Sequence, residues 1–180
     1  MDGFLGFVKK LVDGFEKEGL DYAFTGALAA SFYGVPRTTA DVDVMIVVFP
    51  KDAKNKLISA LRLAGLQVEA TRIDDSLKSG YVMATFKCKT SPYKVDVILS
   101  DSIRKRPGTI RNLKTYFQLP EDLILAKLRM IRFTIPPERA TKDEEDVRAI
   151  LRFTDVDKAA IEKQTKKDGT LGIWKNFSEG

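Results

Sequence analysis

Asp41 and Asp43 stand two residues apart at the head of a β-branched run that holds Val42, Val44, Ile46, Val47 and Val48. Side chains two apart on a strand leave the same face, so both carboxylates can reach one cation while Val42, Val44 and Ile46 turn toward a core. Two adjacent like charges repel unless a cation or a cationic side chain lies between them. A third acid, Asp96, sits inside Tyr93-Lys94-Val95-Asp96-Val97-Ile98-Leu99, an otherwise strand-like run where a carboxylate is costly unless paired or liganded. A strand carrying Asp96 beside the one carrying Asp43 would bring three oxygen donors onto a pair of hard divalent ions such as magnesium or manganese. The plainer reading makes Asp41 and Asp43 a solvated strand start and Asp96 an edge-strand residue facing water, with Lys94 on the same face. Thr25-Gly26-Ala27 falls between a short β-like run and a helix-prone one. Free amides and a helix dipole there favour a phosphate, and Gly26 permits close backbone approach. An ordinary strand-to-helix turn fits the same three residues.

Composition narrows the chemistry. The 180 residues include no histidine, which removes Ser-His-Asp and Cys-His catalysis, histidine-ligated zinc and a histidine base together. The single cysteine, Cys88, can form no internal disulfide and no thiolate cage, which fits a reducing cytoplasm. Carboxylates, Lys, Arg, hydroxyls, backbone amides and oxygen-bound metals remain. A net charge of +5 favours an anionic partner, although ordinary solubility explains an excess of that size equally well. The 44% hydrophobic and 31% charged residues fit a globular chain of one cored domain with an extension. No apolar run approaches the roughly 20 residues a bilayer requires, and residues 4–18 alternate apolar and charged instead of forming an export signal. No membrane association is expected.

The elements that must position these residues follow from periodicity. Phe4, Leu5, Phe7, Val8, Leu11, Val12 and Phe15 recur at helical spacing and stop at Gly19. Residues 22–25 read as a short strand, 27–33 as a helix and 42–49 as a strand ended by Pro50. Residues 51–64 return to helical spacing. Strands are expected over 67–73, 81–87 and 93–99, separated by a polar 74–80 stretch and by Thr90-Ser91-Pro92, in a mostly antiparallel run. Beyond Ile103 comes a basic loop, Arg104-Lys105-Arg106-Pro107, which could steer a polyanionic acceptor or could simply be solvated. Pro120-Glu121-Asp122 opens a helix to about Phe133, with proline and acids in its first turn. Further helices are expected over 138–153 and 155–167, with a terminal turn docking through Ile173, Trp174 and Phe177.

Taken together, Phe24-Thr25-Gly26-Ala27-Leu28-Ala29, Tyr33-Gly34-Val35-Pro36-Arg37-Thr38-Thr39, Ala40-Asp41-Val42-Asp43 and Val95-Asp96-Val97 resemble one family signature. It is that of the nucleotidyltransferase superfamily of the polymerase-β type, and within it the AbiEii-like group of abortive-infection toxins. The signature runs through a Gly-Gly or Gly-Ser turn, Tyr-Gly, Arg-x-Thr, Asp-x-Asp and a third acid on a later strand. The likeness continues in Pro120-Glu121-Asp122-Leu123 through Lys127-Leu128, and in Arg139 with Lys142-Asp143-Glu144-Glu145-Asp146, so it spans residues 22–151. Ala27 departs from it, replacing the second turn glycine or serine with a methyl and no hydroxyl.

The resemblance implies an α/β (α+β) nucleotidyltransferase fold, with a mixed, mostly antiparallel sheet, flanking helices and a C-terminal helical extension. Residues 1–105 would form the catalytic core and 106–180 the helical part. It implies that Asp41, Asp43 and Asp96 are catalytic and hold magnesium or manganese, and that Gly26, Ala27, Arg37, Thr39 and Lys127 bind the nucleotide. The activity implied is transfer of a nucleoside monophosphate from a triphosphate to a hydroxyl of RNA such as tRNA, of a protein or of a small molecule. The alternative is a relative without turnover that serves as a binding module, one half of a toxin-antitoxin pair with a cognate antitoxin as partner. Read without the resemblance, Arg37 is a surface charge, Lys127 a solvated or helix-pairing lysine, and Asp143 and Asp146 structural acids that pair with nearby cations.

Overall fold

The computed structural model describes residues 3–34, 38–48, 52–79 and 82–178. The chain divides into two compact units, one of residues 1–28 and 38–118 and the other of 29–37 and 119–180.

The first unit is built on a sheet. Its strands are β1 (Tyr22–Phe24), β2 (Asp41–Val47), β3 (Met83–Lys87), β4 (Lys94–Ser100), β5 (Lys105–Ile110) and β6 (Leu113–Gln118), in the order β3-β4-β2-β1-β6-β5 among the described residues. Neighbours β3 and β4, β1 and β2, and β5 and β6 run antiparallel; β2 with β4 and β1 with β6 run parallel. Alternation along β2 and β4 buries Val42, Val44 and Ile46 together with Val95, Val97 and Leu99 on one face. Helices α1 (Phe4–Lys17) and α3 (Ala53–Leu63) pack on each other through stripes that include Leu11, Phe15, Leu57 and Leu61, all fully buried. Their crossing is close because Gly14 has no side chain: a Cβ there would lie 2.8 Å from the Ala60 carbonyl oxygen. Burying four such large side chains supplies on the order of 6–12 kcal/mol of hydrophobic stabilisation before chain entropy is counted.

Three sequence expectations change. The strand expected over 67–73 is absent; α4 (Ala70–Ser79) occupies this stretch and the polar one after it, leaving one isolated bridge between Leu66 and Cys88. Ile73 and Ser76, three apart and so on one helical face, are buried while Leu77 is exposed, so burial follows the 3.6-residue period and not a strand alternation. The basic loop expected at 103–107 instead runs into the edge strand β5, which pairs with β6 across Arg111 and Asn112. Pro107 is tolerated there because an edge strand has one side without ladder partners. Residues 106–118, placed by sequence in the helical part, thus belong to the sheet-bearing unit, and the chain leaves it at Gln118.

The second unit holds α5 (Pro120–Phe133), a 3-10 turn (Pro137–Ala140), α6 (Thr141–Phe153), α7 (Lys158–Asp168) and α8 (Leu171–Ser178). Ile124, Leu128, Val147, Ile150, Ile161 and Trp174 form its core. Helix α2 (Gly26–Tyr33) begins in the first unit and ends in this one. No helix among the described residues is long and apolar enough to cross a membrane.

Candidate active site

The parallel pairing of β2 with β4 sets the geometry. Asp43 lies opposite Asp96 and Asp41 opposite Lys94, so three carboxylates and one ammonium form a two-by-two array on a single sheet face. Asp96 is not on an edge, because β4 lies between β3 and β2, and its side chain is only 13% exposed. From the β3 side the Thr85 hydroxyl donates to Asp96 Oδ1 at 2.5 Å. Asp41, at the open end of the strand, is 48% exposed. Its backbone is braced by Thr39, whose hydroxyl accepts from the Asp41 amide at 3.1 Å and donates to the Asp41 carbonyl at 2.9 Å. Thr39, expected at the nucleotide, thus also braces the start of β2.

Gly26 opens α2 with φ of +55° against the carboxylate of Asp43. A Cβ at Gly26 would lie 2.6 Å from Asp43 Cγ and 2.9 Å from Asp43 Cβ, closer than van der Waals contact allows. The Thr25 amide donates to the Asp43 carbonyl at 3.0 Å, and the Thr25 hydroxyl donates to Gln118 Oε1 of β6 at 2.6 Å. The turn is thereby pinned to strands on both sides, and the first amides of α2 rise beside Asp43. Ala27 is the second residue of the helix and has no left-handed backbone, so alanine imposes no strain there.

Lys94 supplies the charge balance. Its Nζ lies 3.3 Å from Asp41 Oδ2 and 3.4 Å from Asp96 Oδ2. The hydrogen bond to Asp41, followed by the field of Asp96, raises the Lys94 pKa above its ordinary value. Three carboxylates without thiolate or imidazole are the donor set of a hard divalent cation, and the space that a Cβ at Gly26 would fill is kept for one of them. In residue types and in face the array fits such an ion. Among the described residues no group of three or more acidic, cysteine or histidine side chains is gathered into a ready cage, and the ammonium of Lys94 stands between two of the acids.

Arg37 falls outside the described residues. Lys127 belongs to the helical unit, where its Nζ is buried against Asp146 Oδ2 at 2.6 Å and Asp143 Oδ1 at 2.9 Å. The two acids three apart on α6 thus take Lys127 as their cation. In the basic segment, Lys105 pairs with Asp21 at 2.5 Å and lies 4.2 Å from the centre of the Tyr116 ring, while Arg104 and Arg106 are exposed. Sequence reading missed Thr85 and Gln118 as site residues. Each is recruited by strand pairing across many residues, and no local pattern announces it.

No family model matches the chain, and no curated protein matches its sequence. Solved structures do resemble it. The solution structure of the antibiotic-resistance factor ANT(2'')-Ia is 12% identical with a TM-score of 0.66, covering 100% of both chains. The crystal structure of ANT(2'')-Ia in complex with adenylyl-2''-tobramycin is 13% identical with a TM-score of 0.60, covering 94% of this chain and 95% of the other. An antigenic nucleotidyltransferase-like protein from Paracoccidioides brasiliensis is 15% identical with a TM-score of 0.62, covering 96% of this chain and 92% of the other. At these identities the likeness is one of architecture: the chain has a nucleotidyltransferase-type fold, with a six-stranded mixed sheet and flanking helices.

Proposed function

We propose that this chain is a nucleotidyltransferase that moves a nucleoside monophosphate from a triphosphate to a hydroxyl acceptor. The observation that carries the reading is the register of β2 against β4, which sets Asp43 beside Asp96 and Asp41 two residues along on the same face, against a glycine turn. Asp41 and Asp43 would hold magnesium or manganese; Asp96 would share in that hold. Such an ion, when bound, screens the triphosphate charge and polarises the phosphorus under attack. Asp96, fixed by Thr85, orients the acceptor hydroxyl and takes its proton as the new oxygen-phosphorus bond forms and pyrophosphate leaves. The amides of Gly26 and Ala27 at the start of α2 meet phosphate oxygens.

The order of turn, Tyr33-Gly34, Arg37-x-Thr39 and Asp41-x-Asp43 supports a place near the AbiEii-like group. Besides Lys105, which Asp21 already neutralises, the β5–β6 hairpin carries Arg106, Arg111 and Lys114 and no acid, which suits an anionic acceptor such as RNA. The test is labelling: purified protein with each of the four labelled triphosphates, manganese and a pool of RNA, protein and small-molecule acceptors. Label enters an acceptor with the wild type and is absent with Asp43→Asn. Equal labelling by both proteins refutes the assignment of the aspartates, and binding of a protein partner with no metal-dependent nucleotide affinity favours the module without turnover.

A further inference from the structure

Lys94 sits at the corner of the array where a fourth carboxylate would complete it. Register places it opposite Asp41, and its position two residues before Asp96 puts it on the same face, so its ammonium lies 3.3 and 3.4 Å from one oxygen of each. Asp96 is held from the other side by Thr85, whereas Asp41 is half exposed and Lys94 35% exposed on a flexible four-carbon stem. The movable partner of the two acids is thus the lysine, and open solvent lies beside it. We propose, resting on the ion-binding role given above to the three aspartates, that Lys94 is the site's built-in counter-ion, held between Asp41 and Asp96 until a divalent ion displaces it. Lys94 then sets the ion concentration at which the site loads. Before loading, it keeps mutual repulsion from driving the carboxylates apart. A monovalent ion is no better a partner than the ammonium already present, so the lysine also discriminates by charge.

The test is manganese binding to full-length protein, followed by calorimetry and by the electron paramagnetic resonance of free manganese, with melting temperatures measured in chelator and in manganese. Lys94→Met binds manganese roughly tenfold more tightly than wild type, as expected when a competing ion-pair contact of a partly exposed lysine is removed. It melts lower than wild type in chelator and gains more from manganese. Lys94→Arg, which keeps the charge, stays within about threefold of wild type. Lys94→Gln, which loses the charge but keeps polar contacts, carries the same expectation as Lys94→Met and serves in its place should that protein not fold. Unchanged or weaker manganese binding by Lys94→Met and Lys94→Gln, with binding lost in Asp43→Asn, overturns the counter-ion role alone. Manganese binding that survives Asp43→Asn overturns the ion-binding reading itself, and the counter-ion role with it.

Discussion

Substituting Gly26 by alanine separates two physical effects that the turn combines. The first is backbone strain, since φ of +55° holds a left-handed conformation that disfavours an L-residue by about 1–2 kcal/mol. The second is collision, since the new Cβ would lie 2.6 Å from Asp43 Cγ, and forcing an atom into filled space typically destabilises by about 1–3 kcal/mol. Gly26→Ala should therefore lose about 2–5 kcal/mol. Gly19 and Gly65 provide the control, with φ of +62° and +86° and no heavy atom within 4 Å of where a Cβ would stand. Gly19→Ala and Gly65→Ala should lose only the backbone part, about 1–2 kcal/mol. In urea, with a slope near 2 kcal/mol/M, the Gly26 variant's midpoint falls by about 1–2.5 M and the controls' by about 0.5–1 M. Asp43→Ala removes the carboxyl that is struck but keeps the Cβ 2.9 Å away, so the double variant Gly26→Ala/Asp43→Ala should recover part of the collision, about 1–2 kcal/mol, relative to additivity. If Gly26→Ala is no worse than Gly19→Ala, or if the cycle shows no coupling, the close approach of turn and carboxylate is wrong.

Three further outcomes follow from other parts of the chain. Lys127→Ala breaks the buried ion pair with Asp146 and should destabilise by about 3–5 kcal/mol in thermal or urea unfolding, whereas pairing Lys127→Met with Asp146→Leu should restore most of it. Burial is the main force raising the Tyr22 phenol, opposed by its hydrogen bond with Thr115 and reinforced by Glu16. The unfolded chain then gives up that proton at lower pH than the folded one, so the contribution to stability is complete below about pH 10 and falls as pH rises beyond it. Denaturant titrations from pH 9 to 12 should show a shallower decline for Tyr22→Phe than for wild type; parallel declines would argue against the buried phenol. Asp157 caps α7 by accepting from the Ala160 amide at 2.8 Å, and Asp157→Ala should lower stability by about 0.5–2 kcal/mol, read by thermal unfolding.

How far the site could be read from sequence depended on the range of the information. Asp41 and Asp43 share a face by strand geometry alone, and Gly26 marks a turn by its chemistry, so both were legible locally. Helix α5 was equally plain, because proline at its start and two acids in its first turn agree with its apolar period. That Asp96 stands beside Asp43, and that Thr85 and Gln118 brace acid and turn, are matters of register between distant strands, which no window of sequence encodes. Lys94 was visible as a neighbour of Asp96, but its hold on Asp41 needs the same register. The helix α4 and the edge strand β5 were misread where local signals conflict. In α4 a helical stripe runs through β-branched residues, and in β5 cations and a proline disguise an edge that pairs on one side only.

The parallel pairing of β2 with β4 has a consequence for how the protein comes into being. A parallel neighbour cannot be reached by a tight turn, and here α3, α4 and β3 must all be accommodated between the two strands. Such long-range pairing is slow to form, because a large loop closes before any contact repays it. During synthesis the two halves of the acidic array cannot meet until translation has passed Ser100, and a product truncated earlier carries Asp41 and Asp43 without the β4 strand beside them. Under the proposed ion-binding role, capture of a divalent ion would report that the central strands have found each other, and would time that event in refolding.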